Sequence, residues 1–307
     1  MRVVFVGTAA FAQPALAAVS ERHEIPLVVT QPDRPVGRHA DLTPPPIKVE
    51  AERLGLDVFQ PERINRDAAI ERLRQAGADV FVVAAYGQLL KPTVFAMPPR
   101  GTINIHASLL PAYRGGAPIQ WAIIRGETTT GISTFYIEAG MDTGDVLLRR
   151  ELAIDPDETA GELEPRLAAL GAETILETLD GLDQGDLEAV PQPDEGVSTA
   201  PLMSRETGRI DWTLAAQRIH DLVRGTNPWP SAWTTLREER IKIHRSARTG
   251  IKRGAIAPGE IALAETGRLL VGCADELVEI REIQREGRPR TDGAAFLHGL
   301  HGASRFA

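Results

Sequence analysis

DVFVVAA, residues Asp79–Ala85, is apolar at every position from Val80 onward, with no polar residue on alternate places. A strand with one face in water alternates between apolar and polar side chains; a strand covered on both faces does not. Arg2–Gly7 (RVVFVG) and Ile25–Thr30 (IPLVVT) repeat the pattern, and stretches of helix-forming composition at Ala12–Val19 and Ile47–Leu54 separate them. Such strands, alternating with helices, predict a parallel sheet between two helical layers. The fold expected for the first half is α/β, a Rossmann-like doubly wound and mostly parallel sheet. The glycine fingerprint of dinucleotide binding is missing. Gly7-Thr8-Ala9-Ala10-Phe11-Ala12 has one glycine where a close approach to pyrophosphate needs three, and no Walker-type loop occurs. These absences argue against NAD and ATP.

The chain's 307 residues point to two domains, and a hydrophobic content of 43% is enough to build a core in each. No apolar stretch approaches the roughly 18 residues of a membrane helix, and the chain opens on a strand pattern and not a signal peptide. The one cysteine, Cys273, forms no internal disulfide and no metal cluster. A cytoplasmic monomer is the expectation. The net charge of −8 hides an asymmetry. From Gly208 onward 16 Lys+Arg stand against 12 Asp+Glu, or +4, which leaves 18 against 30, or −12, for Met1–Thr207. The basic part is free to meet a polyanion. On charge alone, drift in surface composition accounts for the split equally well.

Beyond Glu158–Leu179, which reads as a long helix, Asp180–Ser198 turns polar and rich in Gly, Pro, Asp and Gln. This divides the chain into a domain over 1–187, a linker over 188–207 and a second domain over 208–307. The last has a helical stretch at Leu214–Val223 and short strands at Arg240–His244, Glu260–Leu263, Leu269–Val271 and Val278–Ile283. A small, OB-like β-barrel is expected there. Trp212, Trp229 and Trp233 are expected to fill its core. His220, His244, His298 and His301 lack the spacing of a zinc site, so no metal is expected.

Chemistry concentrates in Gly101–Gln120, GTINIHASLLPAYRGGAPIQ. In Ile103-Asn104-Ile105-His106 the alternation puts Asn104 and His106 on one face of a strand and the isoleucines on the other. Ligands bind at the carboxyl ends of strands in open α/β sheets. A carboxamide and an imidazole together there can donate to an oxygen that becomes negative in a transition state. Further on, Gly140-Met141-Asp142-Thr143-Gly144-Asp145 sets two acids among glycines, one of which can orient His106. Taken singly, each of these features reads equally as a polar strand end or a turn.

Their combination resembles the 10-formyltetrahydrofolate-dependent formyltransferases. The signature of that family is an Asn-x-His strand, a Ser-Leu-Leu-Pro-x-x-Arg-Gly loop and a later Asp near glycine. The matching residues are Asn104 and His106, Ser108-Leu109-Leu110-Pro111 with Arg114-Gly115, and Asp142. The resemblance implies that these three polar residues are catalytic, with Asp142 and not Asp145 as the acid. Phe5–Phe11 (FVGTAAF), Gln31–Arg38 (QPDRPVGR), Ala117–Gln120, Arg209–Trp212 and Asn227–Pro230 (NPWP) extend it over nearly the whole chain. They are most similar to those members that formylate methionyl initiator tRNA.

The resemblance implies 10-formyltetrahydrofolate as co-substrate and methionyl initiator tRNA as partner. For the folate, Ser108–Pro111 suits one wall of an apolar slot and Tyr86, Gly87, Gln88, Leu89 and Leu90 another. For the tRNA, the proline-rich loop Asp33–Pro46 carries Arg34 and Arg38, the latter at the position of a key arginine of the family. Lys242, Arg245, Arg248, Lys252 and Arg253 are candidate phosphate contacts, each equally readable as part of a solvated basic run. The alternative is a formyltransferase acting on an amino-sugar nucleotide.

Overall fold

The computed structural model describes residues 1–36, 41–262, 267–300 and 305–307. The chain forms two compact units. The first comprises Met1–Gly115, Thr130–Leu152 and Glu164–Thr199, and the second Gly116–Thr129, Ala153–Leu163 and Ala200–Ala307.

The elements of the first half are β1 (Arg2–Gly7), α1 (Gln13–Arg22), β2 (Glu24–Val29), β3 (Arg34–Val36), β4 (Asp41–Thr43), α2 (Pro46–Arg53), β5 (Val58–Phe59), α3 (Asp67–Ala76), β6 (Val80–Ala84), α4 (Pro92–Phe95) and β7 (Thr102–His106). There follow α5 (Pro118–Ile124), β8 (Thr129–Tyr136), β9 (Val146–Ala153) and α6 (Ala160–Gln184). Seven strands make one sheet in the order β5-β2-β1-β6-β7-β8-β9. Pairing is parallel from β5 through β7, and β8 joins β7 antiparallel. The expected parallel α/β sheet is present. Val3–Val6 and Val80, Phe81, Val82 and Ala84 are at most 1% exposed, as unalternated strands require. Each such Val, Leu, Ile or Phe contributes roughly 1.5–3 kcal/mol by leaving water.

The strand order reverses between β1 and β6. Successive connections leave β1 toward β2 and β5 on one side, and the chain returns as β6 and β7 on the other. Such a reversal opens a crevice at the carboxyl ends of the two strands. Gly7 and Ala84 pair at those ends, and just beyond them Thr8 and Tyr86 are joined by a hydrogen bond of 2.8 Å from the Thr8 hydroxyl to the Tyr86 carbonyl. His106 ends the neighbouring parallel strand on the same edge.

The second unit holds α7 (Ala216–Gly225), β10 (Ala232–Leu236), β11 (Glu239–Lys252), β12 (Ile261–Ala262), β13 (Leu269–Gly272), β14 (Glu276–Arg285), β15 (Thr291–Asp292) and α8 (Gly293–His298). Its strands form an antiparallel sheet in the order β10-β11-β14-β13-β12, with β15 on β14. The sheet curls into a half-barrel, and Arg305–Ala307 ties its two edges. Ala307 exchanges backbone hydrogen bonds of 3.1 and 2.9 Å with Thr235, while the Phe306 N–H donates to the Gly259 carbonyl at 2.8 Å. Ala216, Ile219, His220 and Val223 are buried on one face of α7, at the spacing of an amphipathic helix. Trp212 belongs to this core and stacks on Phe306 at 5.6 Å. Trp229 does not: flanked by Pro228 and Pro230, it is 56% exposed. Trp233 is half-buried, with the Arg240 guanidinium 3.9 Å from its ring centroid.

Candidate active site

Register and alternation build the site on β7. Ile103 and Ile105 are buried at 0% and 3% exposure, which turns Asn104 and His106 to the opposite face. Asn104 is half-buried, and its carboxamide makes no hydrogen bond to another described residue. His106 is buried, with the Phe135 ring edge-on at 6.2 Å. Its Nε2 lies 3.0 Å from the Tyr113 carbonyl oxygen. A carbonyl only accepts, so Nε2 carries the proton. Nδ1 is then bare in the neutral ring and holds a proton only in the imidazolium. That nitrogen faces Asp142, whose Oδ2 is 3.8 Å away.

Asp142 is held in turn. Its Oδ2 accepts the Gly115 N–H at 2.8 Å, so the Arg114-Gly115 step of the loop after β7 grips the acid directly. The Asp142 and Gly144 carbonyls each accept from Gln192 Nε2 at 2.8 Å, and the Gln192 Oε1 accepts from Arg114 at 2.7 and 3.1 Å. The backbone N–H of Tyr113 donates to Ser198 Oγ at 2.9 Å. Tyr113 and Asp142 both have left-handed backbones, with φ of 62° and 53°. For a bulky residue such as tyrosine this costs on the order of 1–3 kcal/mol, a strain that surrounding bonds must hold. At Gly144 any Cβ would fall on the Tyr136 carbonyl, so only glycine lets the Asp142 turn close on β8.

Gln192 and Ser198 carried no signal in the sequence. They lie in a polar, proline-rich stretch whose composition reads as a connection, and only the return of the chain past Asp142 and Tyr113 gives them partners. Arg114 was visible as a motif residue without a task, and here it positions Gln192.

Of the residues read as a folate wall, Ser108 is fully buried and its hydroxyl donates to the Ala112 carbonyl at 2.6 Å. Leu110 packs with Phe135 and Val146, while Leu109 and Pro111 are half-buried. The Tyr86 ring enters the sheet core beside Val4, Val6 and Phe81, and burial pushes its phenol up to about 12. Gly87 has φ +84°, Leu89 is 79% exposed, and Gln88 and Leu90 are half-buried. A cleft of about 510 Å³ is lined by Gln88, Leu89, Lys91, Arg63, Asn65 and Arg66.

Among the residues read as tRNA contacts, Arg34 is exposed on β3, 3.9 Å from Glu62. Arg38 lies outside the described residues. The other five are on β11 or follow it. Arg245 pairs with Glu162, whose carboxyl this guanidinium and the Thr159 N–H lower to about 2. Arg248 bonds Glu276 at 2.8 Å and Gln217 at 2.9 Å, and Arg253 donates to the Ala274 and Ile256 carbonyls at 3.0 and 2.9 Å. Lys242 and Lys252 are exposed and make no ion pair among the described residues. No group of three or more His, Cys, Asp or Glu suited to a metal occurs among the described residues. Nor is any helix among them long and apolar enough to cross a membrane.

Comparison with known proteins accords with this geometry. The formyl transferase family pattern matches residues 1–179 and that of the formyl transferase C-terminal domain residues 202–301. The methionyl-tRNA formyltransferase of Solibacter usitatus is 47% identical over 300 residues, covering 97% of this chain and 96% of that protein. That of Geobacter metallireducens is 45% identical at the same coverage. Among solved structures, WlaRD, a sugar 3N-formyl transferase crystallised in the presence of dTDP and 5-N-formyl-THF, superposes with a TM-score of 0.69 at 15% identity. It covers 94% of this chain and 99% of its own. The likeness to WlaRD is one of fold, whereas identity over nearly the full length assigns the chain to the methionyl-tRNA formyltransferase family.

Proposed function

We propose that this chain transfers the formyl group of 10-formyltetrahydrofolate to the α-amine of methionyl initiator tRNA. Residues 1–187 would act as the catalytic domain, 188–207 as the connecting segment and 208–307 as the tRNA-binding domain. The observation that carries the reading is the approach of His106 Nδ1 to Asp142 Oδ2, 3.8 Å, beside Asn104 on the same strand face. The neutral amine adds to the formyl carbon, whose oxygen becomes negative as the carbon turns tetrahedral. Asn104 donates an amide proton to that oxygen. His106, protonated at Nδ1, donates a second, and each such donor is worth about 3–4 kcal/mol in a preorganised site. Asp142 attracts the imidazolium and, directly or through water, takes the proton the amine sheds and passes it to the departing folate nitrogen. No covalent enzyme intermediate is required. The Ser108 hydroxyl donates to a carbonyl and makes no hydrogen bond to a basic side chain among the described residues.

Tyr86–Leu90 and Ser108–Pro111 are assigned to the folate, and Arg38 and the β3–β4 hairpin with its Arg34, together with Lys242, Arg245, Arg248, Lys252 and Arg253, to the tRNA. The decisive measurement offers the full chain labelled 10-formyltetrahydrofolate with methionyl-tRNA and, in parallel, an amino-sugar nucleotide. Label is expected on the tRNA alone, with Asn104→Ala lowering turnover by about 10²–10³. Label on the sugar instead, or near-normal turnover by Asn104→Ala at saturating substrates, would refute the assignment.

A further inference from the structure

Residues Gln60–Asn65 bridge two parts of the first unit that lie far apart in the chain. On one side is the root of the β3–β4 hairpin. The Gln60 side chain donates to the Gln31 carbonyl at 2.9 Å and to Asp33 Oδ1 at 2.7 Å, and Lys48 closes on Asp33 Oδ2 at 2.8 Å. On the other side is the loop after β6. The Ile64 N–H donates to Gln88 Oε1 at 3.1 Å, Asn65 Nδ2 to the Leu89 carbonyl at 2.8 Å, and the Lys91 N–H to Asn65 Oδ1 at 2.8 Å. One bond joins the two sides directly, from Gln31 Nε2 to the Tyr86 carbonyl at 3.0 Å.

The Tyr86–Gly87 peptide is thus pinned from the hairpin root. Its carbonyl takes both Gln31 and Thr8 as donors, and Gly87 sits so close that a Cβ there would lie 2.9 Å from Gln31 Nε2. A displaced root withdraws a donor from this carbonyl and loosens Gln88 and Leu89 through the same 60–65 segment. The consequence runs equally in reverse.

We propose that Gln31 and Gln60 are positioning residues that couple the hairpin to the Tyr86–Leu90 loop, so that folate and tRNA each bind more tightly when the other is present. The inference rests on the assignments of folate to the loop and tRNA to the hairpin made above. Coupling between two binding sites is reciprocal and typically amounts to about 5–150-fold.

The test is calorimetric binding of tetrahydrofolate to the full chain, alone and with saturating methionyl-tRNA; without a formyl group no transfer occurs. In the wild type the tRNA should tighten tetrahydrofolate binding by about 5-fold or more. In Gln60→Met and in Gln31→Met the ratio should fall to near unity while folding, followed by circular dichroism, is retained. Independent of any variant, methionyl-tRNA alone should slow amide exchange over residues 86–90 of the wild type. Independent binding of the two ligands, unchanged exchange over 86–90, or a folded variant that keeps the wild-type ratio would each overturn the coupling. If either ligand fails to bind at all, the functional reading falls first and the coupling with it.

Discussion

Burial strips water from the imidazoles of His220 and His244 and holds both below the ordinary histidine value of 6.5. For His220 the Pro156 carbonyl at 3.2 Å offsets part of this, and Ser246 Oγ lies 3.0 Å from Nδ1. For His244 the nearby Arg290 and Lys242 add to the lowering, and its buried Nδ1 has no partner among the described residues. Because the folded values are depressed, the unfolded chain takes up protons first as pH falls. The contribution of these groups to stability is complete above about 6.5 and is lost on acidification through the folded values. The urea midpoint should therefore decline between about pH 7 and pH 5. The double variant His220→Gln/His244→Gln should decline less over the same interval, and an unchanged slope would show that other groups govern it. Neither burial was legible beforehand. The sequence places the two imidazoles on elements of the second unit, but their depth depends on how α7 packs on β11.

At the scale of elements, alternation was the most informative signal. Ile103-Asn104-Ile105-His106 exposed its two-faced character in four residues, and β7 follows it. The long helix read over Glu158–Leu179 runs over Ala160–Gln184 as α6. Its start is set by Thr159, whose N–H donates to Glu162 Oε2 at 2.9 Å while its hydroxyl accepts from the Glu162 N–H at 3.3 Å. This reciprocal pair satisfies donors that a helix terminus otherwise leaves open. Thr159→Ala should cost about 1 kcal/mol in urea denaturation. No loss of stability would mean that the Glu162–Arg245 pair holds the terminus by itself. Element ends shifted by a few residues from the reading, because hydrogen bonding and not composition decides where a helix stops.

Across the whole molecule the charge asymmetry sets an expectation for binding. Phosphates neutralised by lysine or arginine release counterions, so affinity falls with salt in proportion to the number of phosphates engaged. Lys242 and Lys252 are exposed and unpaired among the described residues, whereas Arg248 already spends its charge on Glu276. Replacing both lysines by alanine should weaken tRNA binding and flatten the log–log salt slope by roughly 0.7–0.9 for each phosphate left without its lysine. Arg248→Ala should change the slope less. Equal slopes for wild type and the double-lysine variant, in filter binding at several salt concentrations, would remove these lysines from the interface.

Local pattern alone determined the kind of sheet, the strand that presents Asn104 and His106, and the barrel-like character of the C-terminal strands, since burial on one or both faces writes itself into residue spacing. Tertiary structure alone decided which distant groups meet. The Gly115 N–H on Asp142, Gln192 across the Asp142 turn, Ser198 on Tyr113 and Arg245 on Glu162 join segments far apart in the chain. Side chains of this kind have no periodicity to betray them. Their partners are supplied by the path of the chain after folding, and so is the exposure of Trp229, which composition assigned to the core.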